Sequence, residues 1–342
     1  MTPKERFSGA LAREPVDHVP LFYQHLGAAK WILQHTGLTI KEGFHDPAVF
    51  AKLAMASHDL YQFDNVMAGW GDLLIEAQAH GMEWRFPERD FYPRAMNYVD
   101  LAKVDGIHPV DPMKDKYWSV PLKAASIMNE KIGDKVKILG CLDSPLLAAS
   151  ETIGMETLMM GEFTAPDQVK HLVRTITSSS IAYVEHLNAS GIDTVFIDNS
   201  SASMELNSEE CCEDFDHRFL RELMRRMDAL GMKAILHNDA VHPYLAKQLD
   251  LRPAGLHFHL MNVDMPKTFE MLKGSTCVFA GIDHTDLLFQ KTPQDIEAEV
   301  MRIMRAWGDA PGLIMAPGCE MAYKTPMENI RTLRESTVGF KN

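Results

Sequence analysis

The chain has 342 residues, of which 46% are hydrophobic and 24% charged, which is the composition of an ordinary globular protein with a sizeable core. A formal net charge of −13 disfavours a nucleic-acid partner, because binding to phosphates depends on clustered lysines and arginines. No stretch approaches the roughly 18 apolar residues that a membrane span requires, and the amino terminus lacks a secretion signal, so a cytoplasmic location is expected.

Short β-branched or apolar segments alternate along the chain with longer segments of helical periodicity. This alternation predicts parallel strands joined by crossover helices, and eight such strands favour a closed (β/α)8 TIM barrel of the α/β class. The expected helices include Pro166–Leu187, Phe215–Leu230, Thr292–Trp307 and Pro326–Ser336. The expected strands, in chain order, are His18–Phe22, Asn65–Met67, Val136–Gly140, Thr194–Asp198, Lys233–His237, Gly255–Phe258, Thr276–Gly281 and Gly312–Ala316.

The interval between Asn65 and Val136 is too long for one crossover helix. It is rich in proline, aromatic and charged residues, so we expect an insertion at about residues 70–118, near the barrel mouth. No glycine- or serine-rich linker and no sharp change of composition divides the chain. Residues 1–342 are therefore predicted to form a single barrel domain.

The five cysteines bear on both redox state and metal binding. An odd number in a chain of this length argues against a disulfide framework and for reduced thiols. Cys211 and Cys212 are adjacent, and neighbouring cysteines cannot easily share one tetrahedral ion, so a metal role for that pair is disfavoured. Cys319 is the better candidate ligand because it follows the last expected strand.

Active sites of such barrels form at the carboxyl ends of the strands, where the loops converge on the barrel axis. Several polar side chains close the expected strands, and they are candidates to line a pocket there. An aspartate in that position also commonly caps the next helix, so a structural role stays open for each. These pocket candidates are Gln24, His25, Asp198, Asn199, His259, Asp283 and Glu320.

His237 and Asp239 stand two residues apart at the end of the fifth expected strand, so both side chains can turn toward one point. Together with Cys319 they offer a nitrogen, an oxygen and a thiolate. Such a set, with a fourth position free for substrate, makes an open catalytic zinc site. The alternative is structural: a hydrogen-bonded histidine at a strand end and a small buried cysteine.

Other catalytic motifs lack local support in this sequence. There is no Gly-x-Gly-x-x-Gly after an expected strand, no phosphate-binding loop and no Gly-x-Ser-x-Gly. Dinucleotide, nucleotide-triphosphate and serine-hydrolase chemistry are therefore not expected.

Several segments resemble the uroporphyrinogen decarboxylase superfamily, over about residues 3–336. The opening segments KERF (4–7) and REPVDHVP (13–20) are similar to the start of its members. The ending is more specific: GLIMAPGC (312–319) and TPMENI (325–330) resemble the last strand and helix of the methyltransferase members, in which a cysteine follows Pro-Gly. The resemblance therefore implies the methyltransferase branch.

The resemblance also bears on the substrate and the metal. True decarboxylases carry an arginine-bearing segment near their start that grips porphyrin carboxylates, whereas residues 23–29 (YQHLGAA) contain no arginine. The methyltransferase members imply a zinc ion held by a His-x-Cys pair and a later cysteine, and a corrinoid carried by a partner protein. This chain has Asp239 where that pattern has cysteine, which should make the zinc a stronger Lewis acid.

The resulting hypothesis is a zinc-dependent corrinoid methyltransferase with His237, Asp239 and Cys319 as metal ligands and catalytic residues. It would move a methyl group between the corrinoid of a partner protein and a small molecule, either a methyl ether or similar donor in an O-demethylation, or a thiol acceptor. Two alternatives stay open. One is a decarboxylase or lyase acting on a small carboxylic acid with His237 or Asp198 as general acid, and the other is a non-catalytic barrel homologue.

Overall fold

Seven parallel strands form the main sheet of the computed structural model, which describes residues 1–71 and 74–340. Apart from Lys233, every residue of these strands is buried, as expected where helices cover a parallel sheet. All the strands, in chain order, are β1 Asn65–Ala68, β2 Glu83–Arg85, β3 Arg94–Asn97, β4 Lys137–Asp143, β5 Thr194–Asp198, β6 Lys233–Asn238, β7 Gly255–His259, β8 Cys277–Ile282 and β9 Leu313–Pro317. Strand β1 and strands β4 to β9 pair in that spatial order, whereas β2 and β3 form a separate antiparallel hairpin.

A short segment around Leu21 closes the sheet between β9 and β1. Leu21 forms a parallel bridge with Met315, and on its other side the Asp64 N–H donates to the Leu21 carbonyl at 3.0 Å. The N–H groups of Leu21 and Tyr23 donate to the side chains of Asp64 and Asn65 rather than to main-chain carbonyls. Because side chains replace the ladder on this edge, the predicted first strand is present only as a single bridge.

Helices follow most strands and cover the outer face of the barrel, which confirms the predicted α/β barrel class. All four helices named from the sequence are present, and the one expected to begin at Phe215 begins instead with a π-helical turn, Cys212–His217. The α-helices are α1 Pro3–Leu11, α2 Ala29–Thr36, α3 Ile40–Gly43, α4 Pro47–Tyr61, α5 Leu74–Ala79, α6 Ser119–Ile132, α7 Pro145–Ile153, α8 Met155–Thr164, α9 Pro166–Ala189, α10 Glu209–Cys211, α11 Arg218–Ala229, α12 Leu245–Asp250, α13 Met265–Leu272, α14 Leu287–Gln290, α15 Pro293–Trp307 and α16 Met327–Gly339. None of the described helices is both long enough and apolar enough to cross a membrane.

The barrel interior is filled with side chains. Phe22, Phe196 and Phe279 are fully buried there, and Phe7 of α1 packs edge-on against Phe279 with ring centroids 5.8 Å apart. Helix α1 therefore covers the amino ends of the strands, while the polar residues at the carboxyl ends stay available for a site.

The interval predicted as an insertion contains α5, the β2–β3 hairpin and a 3-10 turn, Leu101–Gly106. In the hairpin loop, Tyr92 donates a hydrogen bond of 2.7 Å to Glu320, which follows β9. This contact joins the hairpin to the carboxyl end of β9, and the bounds and place of the insertion stay a prediction. The assignment of residues 1–342 to one domain stays a prediction, and residues 72–73 and 341–342 lie outside the described residues.

Candidate metal centre

Three candidate ligands meet at the carboxyl end of the barrel. His237 is the penultimate residue of β6, Asp239 follows that strand, and Cys319 follows β9. One ligand atom from each lies within 4.8 Å of the other two, and His237 Nε2 is 4.0 Å from Asp239 Oδ2. A nitrogen, a carboxylate oxygen and a sulfur at these separations form a donor set that suits a zinc ion.

The surroundings of His237 test whether the site fits a metal. Its side chain is fully buried, and neither ring nitrogen has a hydrogen-bond partner within the described ranges. Buried polar atoms in proteins are almost always paired, since an unpaired one costs about 1–3 kcal/mol. The ring is held flat between Phe196 and His257, with centroid distances of 5.1 and 4.6 Å. A metal ion bound at Nε2 would give one of the two unpaired nitrogens a partner. His237, Asp239 and Cys319 therefore fit a metal site.

A neighbouring carboxylate joins the set from β5. Oδ2 of Asp198 lies 4.0 Å from His237 Nε2, and Oδ1 of Asp198 lies 2.6 Å from the hydroxyl of Ser200. The same hydroxyl is 2.8 Å from Oδ1 of Asp239. The Ser200 hydroxyl thus lies between the two carboxylates, within hydrogen-bond distance of one oxygen of each, and their other oxygens lie toward the histidine.

Charge and burial oppose each other in this cluster. Burial raises the pKa of Asp198. Burial also raises the pKa of Asp239, but the nearby His237 and the Ser200 hydrogen bond outweigh it and the net shift is downward. Burial, followed by the charges of Asp239 and Asp198, raises the pKa of the Cys319 thiol well above its ordinary value. Without a cation the cluster therefore disfavours the thiolate, and a metal ion would reverse that.

The chain reaches Cys319 through a close contact at Gly318. A Cβ atom at Gly318 would lie 2.5 to 2.7 Å from ring atoms of His259, so only glycine allows this approach. The Gln24 amide donates to the Cys319 sulfur at 3.6 Å. Gln24 therefore lies beside the thiol, and the ring of His259 packs against the backbone at Gly318; their role in lining a pocket stays a prediction.

His25 and Glu320 form the wall of the site toward the hairpin. Burial lowers the pKa of His25 to about 3, with His237 as the next cause, so its ring is neutral at pH 7. Burial raises the pKa of Glu320 to about 7, against the hydrogen bond from Tyr92. A Cβ atom at Gly71 would lie 2.1 Å from Glu320 Oε2 and 3.1 Å from the Cβ of His25, which places the two side chains next to each other.

A match to a known family accompanies this geometry. Residues 2–338 match the model of the uroporphyrinogen decarboxylase (URO-D) family. The chain belongs to the URO-D family. Its relatives include a methylcobamide:CoM methyltransferase MtbA of Methanosarcina mazei, 25% identical over 99% of this chain and 98% of that protein. A uroporphyrinogen decarboxylase of Anaeromyxobacter dehalogenans is 24% identical over 98% of both chains.

A solved structure gives the same architecture for this URO-D family member. A methyltransferase from Methanosarcina mazei superposes with a TM-score of 0.86 at 24% identity and covers 98% of each chain. At this identity the likeness concerns the fold, and it confirms the barrel predicted from the sequence.

Two of the predicted pocket residues, Asn199 and Asp283, form structural hydrogen bonds and do not point to the candidate metal centre. Asn199 donates to Asp216 at 2.5 Å and accepts from Gln248 at 2.8 Å, so its side chain lies in a buried network behind the site. Asp283 accepts the N–H groups of Thr285 and Asp286, so its side chain stabilises the turn before α14 and does not cap that helix.

The sequence reasoning missed several residues that shape the site. Ser200 had a weak signal, since it lies two residues after Asp198, but nothing in the sequence paired it with Asp239. His257 stacks on His237, and its Nε2 donates to the Pro317 carbonyl at 2.8 Å, which fixes its tautomer. Tyr92 comes from the insertion, whose packing follows no simple pattern.

A second cluster of possible ligands lies on the π-helical turn. Cys212, Asp216 and His217 are buried, with ligand atoms within 4.8 Å of one another, and the Cys212 sulfur is 3.5 Å from His217 Nε2. Ser201 also donates to Asp216, so this carboxylate already has two donors. Both donors contact Oδ2 of Asp216, whereas its buried Oδ1 has no hydrogen-bond partner among the described residues, and Cys211 is no part of the cluster.

Proposed function

We propose that this URO-D family protein is a zinc-dependent methyltransferase that moves a methyl group between a small substrate and the corrinoid of a partner protein. The observation that carries the proposal is the fully buried His237, whose two ring nitrogens lack hydrogen-bond partners in the described chain, beside Asp239 and Cys319. Relatives named methylcobamide:CoM methyltransferases over nearly the whole chain support this reaction class.

His237, Asp239 and Cys319 would hold the zinc ion, and Asp198 is near enough to serve as a fourth ligand or to hydrogen-bond with the substrate. Zinc, when bound, supplies Lewis acidity toward the heteroatom that carries or accepts the methyl group. The protein's own residues orient this centre: the Ser200 hydroxyl bridges the two carboxylates, and His257 and Phe196 hold the imidazole ring between them.

The surface above the site supports a partner protein as the source of the corrinoid. Met204, Val241 and Met261 are each more than half exposed, and they lie on the loops after β5, β6 and β7. We call these three residues the apolar rim. Each is two to four residues beyond Ser200, Asp239 or His259, so the rim lies on loops that begin beside the candidate centre.

Hydrogen bonds hold the rim in place. The Met204 N–H donates to the His242 carbonyl at 3.1 Å, and the Asn262 side chain donates to the Ala240 carbonyl at 3.0 Å. Large apolar side chains that are exposed to water on loops held in place by hydrogen bonds indicate a binding surface. A corrin ring that must approach a buried centre would lie against them, and methionine adapts well to such a partner.

A spectroscopic experiment tests the proposal. Zinc-loaded protein is mixed with cob(I)alamin and a panel of methyl ethers, or with methylcobalamin and a panel of thiols, and the visible spectrum of the corrinoid is followed. Methyl transfer that is lost in His237→Ala and kept in Cys211→Ala supports the proposal. Carbon dioxide release from a small acid without any corrinoid change would favour a lyase instead.

A further inference from the structure

The second ligand cluster owes its geometry to the π-helical turn Cys212–His217. In an α-helix, two residues five positions apart are turned by about 140° from each other around the helix axis, so their side chains face different directions. A π-helical turn is wider and joins such residues by a hydrogen bond. Here it brings the Cys212 sulfur within 3.5 Å of His217 Nε2. Turns of this kind occur frequently at functional sites, so the cluster is a candidate for one.

The cluster contains a buried atom that lacks a partner. Cys212, Asp216 and His217 are each at most 1% exposed, and one ligand atom of each lies within 4.8 Å of the other two. Oδ2 of Asp216 accepts two hydrogen bonds, whereas Oδ1 accepts none from the described residues. Leaving such an oxygen buried and unpaired is costly. A cation beside the carboxylate would remove that cost, and sulfur, nitrogen and oxygen are the donors that zinc takes.

Two glutamates extend the ligand set. Burial, followed by the charge of Asp216, raises the pKa of Glu162 in α8 to about 7. Burial, and then nearby carboxylates that include Glu162, raise the pKa of the Cys212 thiol. Glu162 therefore lies close to the cluster and is the candidate fourth ligand. On the other side of the ring, Oε2 of Glu213 is 4.0 Å from His217 Nδ1, where metal-binding histidines usually have a carboxylate.

The cluster is joined to the first candidate centre through Asp216. Its Oδ2 accepts hydrogen bonds from Asn199 at 2.5 Å and from Ser201 at 2.9 Å. These two residues flank Ser200, whose hydroxyl lies between the two carboxylates of the first centre. An ion held by Asp216 would therefore fix the loop after β5 from behind. Because the three ligands are all buried, the site is closed, as structural zinc sites are.

We propose that Cys212, Asp216 and His217 form a second metal site, which binds a structural zinc ion and holds the loop that carries Ser200. The inference does not depend on the proposed function. On binding, the Cys212 thiol gives its proton to the solvent and the sulfur binds the ion as a thiolate, together with the imidazole nitrogen and a carboxylate oxygen. The alternative is a direct hydrogen bond between the thiol and His217, which leaves Oδ1 of Asp216 unpaired.

A cobalt titration in a protein without the first centre tests the second site. The double variant His237→Ala/Cys319→Ala removes two ligands of the first centre and serves as the background. Cobalt(II) bound to a thiolate gives a charge-transfer band in the near ultraviolet, which a site of nitrogen and oxygen ligands lacks. Cys212→Ala is then added to the background. The matched control adds Cys211→Ala, which removes the neighbouring thiol, and this thiol is no part of the cluster.

We expect the background protein to bind about one cobalt ion per chain with a thiolate band, and zinc to displace it. The Cys211→Ala control should behave in the same way. Adding Cys212→Ala should abolish the band and weaken cobalt binding at least about tenfold. Zinc should also raise the midpoint of thermal unfolding of the background protein, and this rise should disappear with Cys212→Ala.

Absence of a thiolate band in the background protein would overturn the second site. A band of equal strength after Cys212→Ala would overturn it too. If the protein with Cys212→Ala does not fold, the background protein decides alone: a thiolate band with a zinc-dependent rise in stability supports the site, and the lack of either contradicts it. Methyl transfer enters none of these measurements, so their failure leaves the proposed function untouched.

Discussion

The carboxylates of Asp198 and Asp239 share a single hydroxyl group, that of Ser200, at 2.6 and 2.8 Å. The two aspartates come from the ends of neighbouring strands, β5 and β6, whose register sets Asp198 beside His237. One hydroxyl carries one proton, so it cannot donate to both oxygens at once. The arrangement is well suited to a cation that both carboxylates face.

Ser200→Ala removes the group that orients both carboxylates while leaving the ligands in place. We expect the affinity for zinc to fall about 10- to 100-fold, as is typical when an outer hydrogen-bond partner of a metal site is lost. Competition with a chromophoric chelator measures this. Ser178→Ala, on an exposed helix position, is the matched control, and equal zinc affinity in the two variants would contradict the role given to Ser200.

Gly318→Ala tests the close approach of the chain to His259. The added Cβ atom would lie 2.5 Å from the ring, so either the ring or the backbone before Cys319 must move. We expect a loss of about 1–3 kcal/mol in the free energy of unfolding and weaker zinc binding. Thermal unfolding with and without zinc checks both. A variant as stable and as tightly zinc-binding as the parent would show that the contact has no importance.

Tyr92→Phe tests the coupling of the hairpin to the site. The hydroxyl stabilises the charged form of Glu320, so its removal should raise the pKa of this carboxyl from about 7 to a higher value. Infrared titration of the carboxyl band in metal-free protein follows the change, and Glu320→Gln identifies the band. A pKa that stays in place or falls would mean that the hydrogen bond does not form.

Introducing a charged residue into the apolar rim tests whether the corrinoid protein docks there. Met204→Glu and Met261→Glu should raise the KM for a protein-bound corrinoid at least tenfold, because a carboxylate would be buried on docking. The rate with free methylcobalamin should change little. Met160→Glu places the same charge on an exposed methionine of α8 and serves as the control. Equal effects on free and protein-bound corrinoid would contradict docking at the rim.

Much of the barrel follows from local pattern. The runs at Thr194–Asp198 and Lys233–His237 predicted strands that the structure places within one residue, because a buried parallel strand needs a continuous apolar run. The predicted first strand, His18–Phe22, forms only in part, as the single bridge at Leu21. Its backbone groups bond to the side chains of Asp64 and Asn65, and a pairing between distant side chains and main chain leaves no periodic signal.

The candidate site, like the barrel, was predicted from the sequence only in part. The spacing of His237 and Asp239, and the place of Cys319 after the last strand, were enough to predict that the three would meet, since strand ends converge in a barrel. Asn199 and Asp283 occupy equivalent strand ends but turn into structural hydrogen bonds. Which way a side chain turns depends on neighbours from other loops, and sequence spacing does not contain that information.

Metal analysis tests the central claim most directly. Zinc is measured by mass spectrometry in the purified parent protein, in His237→Ala and Cys319→Ala, and in Cys212→Ala, which removes a buried thiol from the other ligand cluster. We predict that the parent contains about one zinc ion per chain more than His237→Ala or Cys319→Ala, whereas Cys212→Ala lacks only the ion of its own cluster. Full zinc content together with undiminished methyl transfer in His237→Ala or Cys319→Ala would contradict the account.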